Sequence, residues 1–192
     1  MKKPNRKTRN ANPAGDVFIA LYRGINVGGN NAVKMAALCS LHERLGHTHV
    51  RHYIQSGNIV FIARGDSPSI AKTLATAFEK QFGFPARVVL LTAEELVQIA
   101  AQNPYAAHAA ANPKSVHAAI CVGVPDEKAL NALLKKCAGP ESFTLRNRTV
   151  YLHAPDGIGN SKFAAAMEKA AAVPMTARNW RTIEALCAMI RG

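Results

Sequence analysis

A continuous apolar run from Val17 to Tyr22 is short enough for a strand buried on both faces, and Met35, Leu38, Leu41 and Leu45 then recur at helical spacing until Gly46. The change of period from strand to helix is the first structural event in the chain. Val50 to Ile54 and Ile59 to Ile62 read as two short strands, joined through Gln55-Ser56-Gly57-Asn58, whose Ser-Gly-Asn suits a hairpin turn. Ser67 followed by Pro68 starts a second helix as cap then proline, with Ile70, Leu74, Ala77 and Phe78 on one face and Gly83 at its end. Residues 86 to 91 form a further strand, and Thr92 with Glu95 is spaced as a capping box for a short helix that ends before Asn103-Pro104.

The order so far is βαββαβ, the ferredoxin-like arrangement. The second half nearly repeats it. Val116 to Val122 is a strand, Asp126 to Cys137 a helix, Phe143 to Leu145 and Val150 to His153 a hairpin around Asn147, and Ser161 to Ala172 another helix. Ile183, Leu186, Cys187 and Ile190 form the apolar side of a final helix. The fold class is therefore α+β: a ferredoxin-like βαββαβ N-terminal half, residues 16–102, and a topologically similar C-terminal βαββα half with a final helix, residues 115–192. The Ala/Asn/Pro-rich stretch 103–114 reads as a linker between them.

Length and composition fit this division. A chain of 192 residues that is 48% hydrophobic and 19% charged has enough apolar material for a substantial core. The net charge of +12 is unevenly placed: Lys2, Lys3, Arg6, Lys7 and Arg9 precede the first acid, Asp16, and leave +7 for the remainder. Residues 1–15 therefore read as a disordered, solvated basic arm, with non-specific contact to nucleic acid or anionic surfaces as the alternative. Cys39, Cys121, Cys137 and Cys187 form no C-x-x-C pair, so neither a zinc knuckle nor a dithiol redox motif is expected. The apolar runs are too short for a signal peptide or a membrane span, and the expected location is cytoplasmic.

Candidate chemistry begins at Arg23-Gly24-Ile25-Asn26-Val27-Gly28-Gly29-Asn30-Asn31, a glycine-rich loop after a strand and before a helix. Glycines let backbone N–H groups approach a ligand and a helix N-terminus adds partial positive charge, so this is an anion-cradle arrangement. Gly157-Ile158-Gly159-Asn160-Ser161-Lys162 is a second such loop, with neither Walker A nor full G-x-G-x-x-G spacing. Thr176-Ala177-Arg178-Asn179-Trp180-Arg181-Thr182 adds two arginines and the one tryptophan, with core packing the commoner role for Trp180. His42, His47, His49 and His52 lack the acid or thiol that would complete a metal set, and His117 and His153 lack an orienting carboxylate. The Lys/Arg-Gly-aromatic run of RNA-binding βαββαβ domains is missing, and a sheet apolar on both sides should be covered on both sides.

The ordered motifs Arg23 to Asn30, Gln55 to Asn58, Asn103-Pro104-Tyr105, Gly159 to Lys162 and Thr176 to Thr182 resemble the bacterial family called domain of unknown function 1697, from about residue 16 to 190. The resemblance implies a compact α+β protein with ferredoxin-like parts. It implies no substrate, cofactor or catalytic role. Lys34 stands where similar proteins often have proline.

The expected function is binding of a small phosphorylated or nucleotide-like ligand in a cleft between the halves, with an enzymatic role left open. Arg23, Lys162 and Arg178 would neutralise the anion; the Gly28-Gly29 and Gly157-Ile158-Gly159 loops would present backbone N–H groups; Asn26, Asn30, Gln55, Asn58 and Asn179 would orient it, with Ser56 of the hairpin turn and the helix-capping candidates Asn160 and Ser161 also lining the site. Nucleic-acid binding through the arm and surface, and a non-catalytic partner-binding scaffold, are the alternatives. No nucleophile–base set of suitable spacing occurs and no pattern names a cofactor, so the sequence argues for a binding site rather than for a reaction.

Overall fold

The computed structural model describes residues 15–27 and 31–191. Most of the expected basic arm, and Gly28, Gly29 and Asn30 of the first glycine loop, lie outside them. The first half comprises β1 (Asp16–Arg23), α1 (Met35–Arg44), β2 (Thr48–Tyr53), β3 (Asn58–Ala63), α2 (Ser67–Phe82), β4 (Arg87–Thr92) and α3 (Ala93–Ala101). A short α4 (Ala106–Ala111) follows. The second half comprises β5 (Val116–Cys121), α5 (Glu127–Cys137), β6 (Ser142–Arg146), β7 (Thr149–His153), α6 (Lys162–Ala171), β8 (Met175–Asn179) and α7 (Trp180–Met189).

Each half contains one four-stranded antiparallel sheet, ordered β2-β3-β1-β4 and β6-β7-β5-β8. The protein is thus α+β with two similar halves, and β8 completes a second βαββαβ unit. That strand was not expected from Met-Thr-Ala-Arg-Asn, which lacks apolar alternation; it forms because Cys121 to His117 of β5 supply a ladder for Met175 to Asn179. The segment read as a linker carries α4, with Ala109 buried and Tyr105 packed on the central core.

Local signals fix several boundaries. Thr92 and Glu95 form the capping box that opens α3, with Glu95 N–H donating to Thr92 Oγ1 at 3.1 Å and Thr92 N–H to Glu95 Oε2 at 2.9 Å. Asp66, not Ser67, caps α2: its two carboxylate oxygens take the N–H and hydroxyl of Ser69, each at 2.9 Å. A carboxylate accepts both donors at once, which leaves Ser67 as the first helical residue. Gly57, at φ +69, closes the β2–β3 turn, and a Cβ there would lie 2.7 Å from both Ile25 Cδ1 and Tyr22 Cβ.

Three apolar clusters give the layering. Phe18, Ala20 and Phe61 on the outer face of the first sheet pack against Leu38 of α1 and Leu74 and Phe78 of α2. Leu130 of α5 and Phe163 and Met167 of α6 cover Ala119, Val150 and Leu152 on the outer face of the second. Between the sheets, Ile19, Leu21 and Leu91 meet Ala118, Ile120 and Tyr151, together with Leu96 of α3 and Trp180 and Ile183 of α7. Trp180 is a core residue, only 6% exposed. Both sheets are therefore covered on both sides, as strands apolar on both faces require.

Candidate functional site

The C-terminal end of β1 is one of the places where the halves exchange polar contacts. Arg23 of β1 lies directly opposite Arg87 of β4. Like charges so placed repel across a ladder. Glu168 of α6 answers both: its carboxylate is hydrogen-bonded by the Arg23 guanidinium through both terminal nitrogens, and Arg87 Nη1 lies 3.2 Å from its Oε1. The Arg23 hydrogen bond is the first cause that holds the Glu168 carboxyl below its usual range.

Arg178 of β8 reaches the same end of β1. Its Nε donates to Asn58 Oδ1 at 2.5 Å and its Nη2 to Tyr22 O at 2.8 Å and Ser56 O at 3.2 Å. Its Nη1 donates to Thr176 Oγ1 at 2.9 Å and Ala177 O at 3.0 Å. All five acceptors are neutral, and no carboxylate among the described residues pairs with Arg178. Burial lowers its pKa to about 10, so it remains a cation at neutral pH.

Asn58 is fully buried, and its side-chain amide also donates to Tyr53 O at 3.2 Å and Ser56 Oγ at 2.9 Å. Asn26, in a left-handed conformation at φ 55, staples its loop: Oδ1 accepts from Val33 N–H at 2.7 Å, and Nδ2 donates to Val33 O at 2.9 Å and Gln55 O at 2.7 Å. Asn179 caps α7 by accepting from the N–H and hydroxyl of Thr182, each at 2.9 Å. Arg23, Asn26, Gln55, Ser56, Asn58 and Arg178 thus do share one seam, but most of their polar atoms are spent holding it together.

The second glycine loop is elsewhere. Ser161 caps α6 by accepting from Ala164 N–H at 3.0 Å, and Asn160 Nδ2 donates to Asp156 O at 3.0 Å. Gly157, Asn160, Ser161 and Lys162 line a cavity of about 250 Å³ whose remaining walls, including Glu141 and Cys137, also come from the second half alone. Gly159 is not among its walls. Lys162 lies six residues from Glu168, about 9 Å along the axis of α6. Among the described residues no ion pair links Lys162 to the cluster of Arg23, Arg87 and Glu168.

His42 and His47 form a chain with Tyr22. Tyr22 OH lies 3.0 Å from His42 Nε2, and His42 Nδ1 lies 3.1 Å from His47 Nδ1. Burial, and secondarily His47, lower the His42 pKa to about 3. Burial also lowers His117 to about 4, and its Nδ1 has no hydrogen-bond partner. Among the described residues no group of three or more His, Cys, Asp or Glu is placed to hold a metal ion.

Arg87 and Glu168 were not singled out in the sequence. Each is an ordinary charged residue in a strand or helix pattern, and only the strand register and the docking of α6 bring them together. Among the described residues no helix is long and apolar enough to cross a membrane.

A duplicated ferredoxin-like scaffold whose halves are joined by arginines defines the class of protein. Residues 16–151 match the model of the family described as protein of unknown function (DUF1697), and the chain belongs to that family. Among solved structures, it is similar to the conserved bacterial protein SP0830 from Streptococcus pneumoniae, at 24% identity and a TM-score of 0.72, covering 91% of this chain and 98% of that one. At that identity the likeness speaks for the fold. No curated protein matches the chain.

Proposed function

We infer that the protein binds a small anionic ligand, phosphorylated or nucleotide-like, at the seam beside the end of β1, and does so in the cytoplasm. The observation that carries this reading is the Arg23–Arg87 pair, which grips an oxyanion in the form of the Glu168 carboxylate. A phosphate offers the same paired oxygens with more charge. Arg178, bonded only to neutral acceptors, adds positive charge at the same end of β1, and the first glycine loop continues in sequence from Arg23. Four cysteines, all free thiols, accord with a reducing compartment.

The test is a thermal-shift and calorimetric titration with inorganic phosphate, nucleoside phosphates and sugar phosphates. A ligand at 100 times its Kd should stabilise the fold by ~2.7 kcal/mol. Replacing Arg23 and Arg87 together with methionine should abolish that response. Silence across the panel, or an unchanged response in the double variant, overturns the reading. Silence would favour the second reading, a partner-binding scaffold, which draws support from the internal use of Asn26, Asn58, Arg178 and Asn179.

A further inference from the structure

The internal repeat creates two related seams. In the first, the β2–β3 turn lies against β8, and the Arg178 guanidinium fills the space between by bonding Tyr22 O, Ser56 O and Asn58 Oδ1. In the second, the β6–β7 turn lies against β4 and α3. Register identifies the counterparts. Arg178 lies opposite Ala118 of β5 and Leu91 opposite Ile19 of β1, while Leu21 pairs with Asn58 as Ile120 pairs with Thr149. Tyr22 N–H donates to Gly57 O and Cys121 N–H to Arg148 O, each at 2.8 Å, so Cys121 stands for Tyr22 and Arg148 for Gly57.

Leu91 therefore occupies the place of Arg178, without the reach or the donors to fill the second seam. A cavity of about 130 Å³ remains there, lined by both halves. Its floor is apolar, formed by buried Leu91, Ile99 and Ile120. Its rim carries Arg146 and Arg148 with the side-chain amides of Gln98, Gln102 and Asn147. Glu95 is the one carboxylate in the lining, 3.2 Å from Arg148 Nη2. The other rim contacts are long: Arg148 Nη1 to Cys121 O at 3.5 Å and Asn147 Nδ2 to Gln102 Oε1 at 3.4 Å. Bonds of that length are weak and readily exchanged for better ones.

We propose that this second seam is a binding site for small monocarboxylates with a branched or aromatic apolar body. The carboxylate meets the Arg146 and Arg148 guanidinium groups and the amide N–H donors, and the hydrocarbon body covers Leu91, Ile99 and Ile120. The excess of positive charge on the rim rejects amines, and the small apolar floor rejects phosphorylated sugars and nucleotides. This site is separate from the Arg23–Arg87 pair and does not rest on the function inferred for it.

The experiment follows the side-chain amide NMR signals of Gln98, Gln102 and Asn147 in the full chain during titration with isovalerate, benzoate and, as a cationic control, isobutylamine. Both carboxylates should shift those signals saturably and the amine should not. Replacing exposed Arg146 and Arg148 with methionine should weaken carboxylate binding by at least about tenfold. Leu91→Phe, which enlarges the floor residue, should remove the response. Absence of saturable shifts, an equal response to isobutylamine, or full carboxylate binding by either variant overturns the proposal.

Discussion

Arg178 and Leu91 hold the same position in the two halves, one opposite Ala118 and the other opposite Ile19, yet one is a five-bonded cation and the other an apolar core residue. The difference makes the two seams unequal. One is closed by hydrogen bonds from β8 to Tyr22, Ser56 and Asn58, and the other is left with a cavity.

Arg178→Met should expose the cost of opening the closed seam. Tyr22 O, Ser56 O and Asn58 Oδ1 lose their donor in an enclosed site, and each unsatisfied buried group costs about 1–3 kcal/mol. Urea denaturation should show a loss of about 3 kcal/mol or more. Arg178→Lys should recover only part of it, since an ammonium cannot match the planar fork. A loss below about 1 kcal/mol for the methionine variant would show that water replaces the guanidinium easily.

The Tyr22–His42–His47 chain predicts acid sensitivity. The arrangement that pairs the buried atoms has Tyr22 O–H donating to His42 Nε2 and His42 Nδ1–H donating to His47 Nδ1. It requires both imidazoles neutral. His42 has a folded pKa of about 3 against an ordinary 6.5, so below pH 6.5 the unfolded chain binds the proton that the folded one refuses. Stability is whole above pH 6.5 and falls as pH drops toward about 3, by ~1.4 kcal/mol per pH unit for this group. His117, held to about 4 by burial, adds to the same slope. Denaturant midpoints taken from pH 7.5 to 4.5 should show the decline, and His42→Gln should reduce it by about one proton. An unchanged slope in that variant would mean that other groups carry it.

Gly57→Ala tests why the hairpin needs glycine. A methyl group would strike Tyr22 Cβ and Ile25 Cδ1 at 2.7 Å while the backbone stays at φ +69. Strain and overpacking together should cost about 1–3 kcal/mol, measured by thermal or urea unfolding. Asn147, at φ 54 in the second hairpin, tolerates its conformation as a residue whose short amide suits the left-handed region. Asn147→Gly should therefore be close to neutral in the same assay.

Elements whose own residues dictate them were legible in the sequence. Val17 to Tyr22, the Thr92–Glu95 capping box and the Gly83 stop are local signals, and each element formed within a residue or two of its expected bounds. β8 was not legible, because Met175 to Asn179 becomes a strand only by pairing with β5. Of the candidate site, the sequence showed polar residues that meet at one seam, and not how their polar atoms are used. Asn26, Asn58, Arg178 and Asn179 look in sequence like residues waiting for a ligand, but a polar side chain that satisfies a buried backbone has the same composition and spacing. Arg87 and Glu168 carried no sequence signal, since their roles depend on register and on docking between halves.

Glu168→Gln separates the structural role of the arginine pair from the binding role inferred for it. Arg23, Arg87 and Glu168 are 41%, 61% and 30% exposed at their side chains, so water and salt screen the pair and its contribution to stability should be below about 1 kcal/mol. Removing the carboxylate also removes the group that occupies the guanidinium pair. On the anion-binding reading the variant should therefore bind inorganic phosphate more tightly than the wild type, and the gain should shrink as salt is raised. Calorimetric titration at two ionic strengths gives both quantities. Weaker phosphate binding in the variant would show that Glu168 orients Arg23 and Arg87 for the ligand instead of competing with it, and a stability loss well above 1 kcal/mol would make the contact a main tie between the halves.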